Sequence, residues 1–158
     1  MKKKLLALAG ISSIALFAGT LFADNDAAIF KAANTSIDSA ITAVETAGLT
    51  NVKSVEFDDQ QWEVSTQKNN METEYVLDQS TSKLTQTKQE TEHDLQPPAD
   101  LSSLKNAVKV VQDKGYTVYS VDFEGSSWEV EGYDAKNLEY TVLVNIADGK
   151  ILNTSIDD

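Results

Sequence analysis

The side chains of this chain that could do chemistry are carboxylates, and they recur at strand spacing. Glu56, Glu63 and Glu74 in the first half, and Asp122, Glu129 and Glu131 in the second, each stand next to a residue of an alternating apolar series. That series reads Val55, Phe57, Trp62, Val64, Tyr75 and Leu77, then Val121, Phe123, Trp128, Val130, Val142 and Val144. Successive side chains of a strand point to opposite faces, so the acids share the face that the apolar residues leave. Glu72, Asp78 and Glu139 have the same parity, no Lys inside these strands shares it, and Val76 and Leu143 are apolar exceptions among the acids. Clustered carboxylates support three kinds of chemistry. Two of them about 5 Å apart can hydrolyse a glycosidic bond, and several on neighbouring strands can ligate a hard cation such as calcium. A field of one sign can also dock a basic protein surface, with apolar residues as anchors. An antiparallel sheet commonly leaves one face to water, so a merely solvated face is the plain alternative.

Catalysis fails on missing parts. The chain has no Cys, a single His (His93) in a polar stretch, no Gly-rich phosphate loop and no Ser in a Gly-x-Ser-x-Gly setting. Asp58-Asp59 and Asp24-Asn25-Asp26 lack the Gly and distal Glu of a calcium loop. No apolar cleft is evident that would raise one carboxyl pKa for acid catalysis. The expectation is a non-enzyme with no catalytic residue, no assigned metal ligand and no cofactor. Its expected partner-binding set is Glu56, Glu63, Glu74, Val76, Asp122, Glu129, Glu131 and Leu143. The alternative is a calcium-binding or envelope-stress module using the same acidic face.

Residues 1–23 read as a secretory signal peptide: Lys2, Lys3 and Lys4, an apolar run from Leu5 to Phe22, and small Ala23 at the cut. Without Cys there is neither a lipid-anchor acceptor nor a disulfide, so the expected product is periplasmic or secreted, not a lipoprotein, and stabilised by packing alone. Losing the three leading lysines moves the formal charge from −12 to −15, with no Arg anywhere. Phosphate backbones and anionic membranes would repel such a chain. Nucleic acid is therefore excluded as a partner, no membrane insertion is expected after cleavage, and a monomer is expected to meet a protein partner.

The elements that position the acids are written twice. Ser54-Val55-Glu56-Phe57, four residues, then Trp62-Glu63-Val64 returns 66 positions later as Ser120-Val121-Asp122-Phe123, four residues, then Trp128-Glu129-Val130. Ahead of each copy lies a helical stripe: Ile37, Ala40, Ile41 and Val44 before Gly48, and Leu104, Ala107, Val108 and Val111 before Gly115, offset by 67. Thr35 or Asn34, and Asp100, are the expected N-caps, and Ile29, Phe30 and Ala33 could form a leading turn. Each unit then runs as an antiparallel meander of three strands and a short fourth, at Lys83-Leu84 and at Lys150-Ile151-Leu152. The fold class is α+β: two tandem α-β-β-β(-β) repeats forming one antiparallel sheet with the helices on one face. The divisions are 24–87 for the first repeat, 88–99 for a linker and 100–158 for the second. Trp62 and Trp128 share the core parity, whereas Tyr116, Tyr119 and Tyr133 could rim an interface or be buried at the sheet edge. Asn34-Thr35-Ser36-Ile37-Asp38 recurs as Asn153-Thr154-Ser155-Ile156-Asp157, outside the repeat register.

Helix, glycine, a Val-x-Phe strand, a hairpin, an aromatic-x-Val strand and a closing Val144-Asn145-Ile146-Ala147-Asp148-Gly149-Lys150-Ile151-Leu152 resemble the PepSY domain. The tandem layout is similar to the fold of beta-lactamase inhibitory protein. In the first copy the closing turn is Asp78-Gln79-Ser80-Thr81-Ser82-Lys83-Leu84, with Ser82 where Gly149 stands. The resemblance implies an exported, non-enzymatic module that binds or restrains a peptidase or another envelope protein.

Overall fold

A computed structural model describes residues 29–157. The expected signal segment lies outside them. A helical turn at 29–32 leads into α1 (Ile37–Ala47), and the first meander follows as β1 (Val52–Asp58), β2 (Gln61–Lys68), β3 (Met71–Asp78) and β4 (Lys83–Thr91). The second unit is α2 (Ser102–Gln112), β5 (Thr117–Glu124), β6 (Ser127–Tyr133), β7 (Glu139–Asn145) and β8 (Ile151–Asp157). All eight strands join one antiparallel sheet in the order β4-β3-β2-β1-β5-β6-β7-β8. The expected α+β class and the doubled unit are what is found.

All eight stripe residues of the two helices are buried, and they share one core with Val55, Trp62, Val64, Val121, Trp128 and Val130. Each indole nitrogen is satisfied at the start of the covering helix: Trp62 Nε1 donates to Thr35 Oγ1, just ahead of the α1 cap, at 2.8 Å and Trp128 Nε1 to Ser103 Oγ in the first turn of α2 at 3.1 Å. Burying a Trp without such a partner would strand its N–H. The helices run antiparallel to each other, with Lys105 on Glu45 at 2.8 Å and Gln112 on Asp38 at 2.9 Å.

The helix ends differ slightly from expectation. Ser36, not Thr35 or Asn34, caps α1, in a reciprocal arrangement with Ser39. Gly48 ends α1 in the left-handed conformation. Leu101, not Asp100, is the N-cap of α2 and offers no side-chain cap; Asp100 accepts from the Ser102 backbone at 2.8 Å one residue earlier, where its carboxylate still serves the first turn. Gly115 lies beyond a further turn rather than at the end of α2. The fourth strand of the first unit is the larger difference: β4 runs nine residues, to Thr91, where sequence suggested a short strand around Lys83-Leu84 and a linker from 88. All but Leu84 of its residues are exposed, so this edge strand carries almost no apolar alternation to read.

Phe30 of the leading turn is buried against Phe57, Trp62, Tyr119 and Tyr133, ring centroids 4.9–6.3 Å apart, and so ties the two units together. Tyr133 is therefore core rather than rim, and Tyr116 stacks obliquely on Tyr140 at 4.6 Å.

Candidate functional site: the acidic sheet face

The strands of the two units pair with each other at β1 and β5, and there the repeated motif pairs with its own copy. Val55 lies opposite Val121, Ser54 opposite Asp122, and Glu56 opposite Ser120. Since each residue stands 66 positions from its equivalent, a local two-fold axis passes through the Val55–Val121 pair. The consequence is chemical. The acids of the two motifs, Glu56 and Asp122, become diagonal neighbours on the face away from the helices, and their carboxyls are hydrogen-bonded to each other. Ser120 Oγ donates to Asp122 at 3.1 Å, and Ser54 and Ser65 share a 2.9 Å hydrogen bond beside them. Burial, then the charge of Glu56 and its hydrogen bond, push the Asp122 pKa up to about 9, with Glu131 adding to the effect. A carboxyl raised that far keeps its proton at neutral pH.

From that seam the expected site residues spread outward in cross-strand rows. Glu56 lies opposite Glu63, and Glu63 opposite Val76. Glu74 lies opposite Ser65 and Lys88. On the other side, Asp122 lies opposite Glu129 and Glu129 opposite Leu143, while Glu131 faces Ser120 and Thr141. The acids thus form one continuous face across both units. Val76 and Leu143 do not come together: β3 and β7 are five strand spacings apart, roughly 24 Å. The apolar residues flank the face instead of centring it, and its centre is Ser54, Ser65, Ser120, Glu56 and Asp122. Burial, with Asp58 beside it, raises the Glu63 carboxyl above its ordinary value.

The face is not purely acidic, contrary to the strand parity. A β-bulge between Val52 and Ser54 brings Lys53 onto it, where Lys53 Nζ lies 3.1 Å from Glu72 and 3.0 Å from Asp94. The bulge is itself duplicated, between Val118 and Ser120, and there the equivalent residue is Tyr119. Lys88, from the strand hidden in the expected linker, lies 3.4 Å from Glu74 and also pairs with Glu90. Lys53, Glu72, Glu74, Lys88 and Glu90 line an open groove of about 660 Å³, together with Glu56, Glu63 and Val76. At its end the Glu92 carboxyl is raised to about 7, chiefly by its hydrogen bond with Glu72 and then by burial. Sequence reasoning missed Lys53, Gln67, Lys88, Glu92 and Asp94. The doubled bulge was the one available signal, as an extra residue in the Val-x-Ser-Val spacing of both copies.

The closing turns keep one shape in both units. Asp78 Oδ1 accepts from the Ser80 and Thr81 backbones, and Asn145 Oδ1 from those of Ala147 and Asp148. Ser82 and Gly149 both adopt the left-handed conformation, φ 54° and 67°. The Ser82 departure therefore leaves the turn intact.

An open antiparallel sheet built from two copies of one helix-and-meander unit, with both helices on one face, defines a tandem α+β module. The chain belongs to the PepSY family: the family model described as peptidase propeptide and YPEB domain matches residues 7–88 and 91–155, one match per unit. PepSY domains typically lie outside the cytoplasm and are generally non-catalytic. The first match begins inside the segment read as a signal peptide. Among solved structures, a putative lipoprotein from Clostridium difficile 630 is 17% identical, with a TM-score of 0.44, covering 77% of this chain and 91% of that one. No curated protein matches the chain. Among the described residues no helix is long and apolar enough to cross a membrane.

Proposed function

We propose that the protein is an exported, non-enzymatic PepSY module that docks a basic surface of a protein partner, a peptidase being the class the family suggests, on its acidic sheet face. The observation that carries this reading is the self-pairing of the repeat, which fuses two sets of acids into one continuous face opposite the helices. One-sided charge of this kind raises association rate and selectivity more than affinity. Val76 and Leu143, half-buried at either flank, supply separate apolar contacts to a partner broad enough to span both units. Cleavage near Ala23 and the lack of any Cys make the mature form a free periplasmic or secreted protein. The test is capture of envelope proteins by the mature chain and by a variant carrying Glu63→Lys, Glu74→Lys and Glu129→Lys. Capture by the parent but not by the variant supports docking through this face; equal capture refutes it.

A further inference from the structure

The end of the groove holds an arrangement that protein docking does not explain. Glu72, Glu92 and Asp94 bring one carboxylate oxygen each to within 4.8 Å of one another. They come from β3 and from the segment that follows β4, so the chain has turned back to assemble them. Glu72 is buried, which is unusual for an acid facing two others. A second observation lies in a neutral side chain. Gln67, 1% exposed, stands directly opposite Glu72 in the β2–β3 ladder, and its Nε2 donates to the Glu92 carbonyl at 2.8 Å. The amide is therefore held between two of the three acids. With the nitrogen committed to that carbonyl, the side-chain oxygen is fixed in orientation, buried and without a hydrogen-bond partner. A buried acceptor left in that state is costly and wants a donor or a cation.

We propose that Glu72, Glu92, Asp94 and the side-chain oxygen of Gln67 form a binding site for a divalent cation of the calcium class. All four donors are hard oxygens, three of them from carboxyl groups, which suits calcium and offers nothing to a thiophilic metal. Lys53 is the resident counter-ion, its ammonium 3.0, 3.1 and 3.9 Å from Asp94, Glu72 and Glu92. One ammonium offsets only one of three carboxylates, and it arrives on a flexible four-carbon stem that can withdraw into the groove. A dication entering the cluster displaces it. Lys53 thus sets the affinity low, in the range of extracellular calcium modules, about 10⁻⁴ to 10⁻³ M. In the second unit Tyr133 lies opposite Glu139 where Gln67 lies opposite Glu72, so the amide oxygen donor is not repeated there.

The test is calorimetric titration of calcium chloride into the mature protein, with thermal melts in calcium chloride and in sodium chloride of matched ionic strength. One equivalent of calcium should bind saturably, and 10 mM calcium should raise Tm by about 5 °C beyond the sodium control. Asp94→Asn, at the exposed side of the cluster, should weaken binding about tenfold, and Lys53→Met should tighten it about tenfold by removing the competing cation. Absence of saturable heat together with a calcium melt no higher than the sodium melt overturns the site. Binding unchanged in both variants also overturns it, since calcium would then lie elsewhere on the acidic face.

Discussion

Replacing Asp122 with Asn should make the protein more stable at neutral and alkaline pH, although it removes a hydrogen-bonding acid from the seam between the units. The folded Asp122 carboxyl has its pKa pushed up to about 9, against an ordinary value of 3.8. Between those limits the folded chain keeps a proton that the unfolded chain releases. Stability is therefore fully present below about pH 4, falls as the pH rises toward 9, and levels off above it. The slope is at most about 1.4 kcal/mol per pH unit, or about 4 kcal/mol between pH 5 and pH 8. Asp122 is only half-buried, and solvent screening at such a site reduces this to about 2 kcal/mol. Asn keeps the shape, cannot ionise and can still donate to Glu56 across the seam. The Asp122→Asn variant should thus melt about 7 °C higher than the parent at pH 8 and match it near pH 4, followed by circular dichroism. A parent whose stability does not fall between pH 5 and pH 8, or a variant that follows the parent's pH profile, would refute a protonated Asp122 at the seam. The Glu56, Glu129 and Glu131 carboxyls around Asp122 remain in both proteins, so the comparison isolates the one group.

Other consequences follow from the core and the turns. Trp128→Ala should cost about 4 kcal/mol in urea denaturation, because it empties a fully buried site and strands the Ser103 hydroxyl; a cost below 1 kcal/mol would mean that the helix does not pack there. Gly149→Ala should destabilise by about 2 kcal/mol, since φ is +67° and the new Cβ would meet Asn106 Nδ2 at 2.2 Å, whereas Ser82→Gly in the equivalent turn should stabilise by about 0.5 kcal/mol by relieving a left-handed serine. Equal effects at the two positions in the same melts would show that the turns are not equivalent.

The helices and the core strands were legible because burial imposes a period. Ile37, Ala40, Ile41 and Val44, with their four counterparts, were all read from spacing alone and are all buried. β4 was illegible for the converse reason: an edge strand exposed on both faces has no need of alternation, so its sequence reads as linker. The face was legible as a list of acids but not as a geometry. Parity gave each strand's orientation; it could not say that Val55 pairs with Val121, which is what joins Glu56 to Asp122 and parts Val76 from Leu143. Lys53 escaped because parity counting assumes an unbroken ladder, and the bulge before Ser54 shifts it by one residue.

The most direct test of the acidic face is quantitative crosslinking capture from the native envelope. It would compare the mature parent with the Glu63→Lys, Glu74→Lys, Glu129→Lys variant and with a control that reverses Asp38 and Glu45 on the helix side. Docking through the sheet face predicts that a basic protein is captured by the parent and by the helix-side control, with an association rate that falls as salt rises, and is lost with the sheet-face variant. Capture retained by the sheet-face variant and lost with the helix-side control would contradict it and place the working surface on the helices.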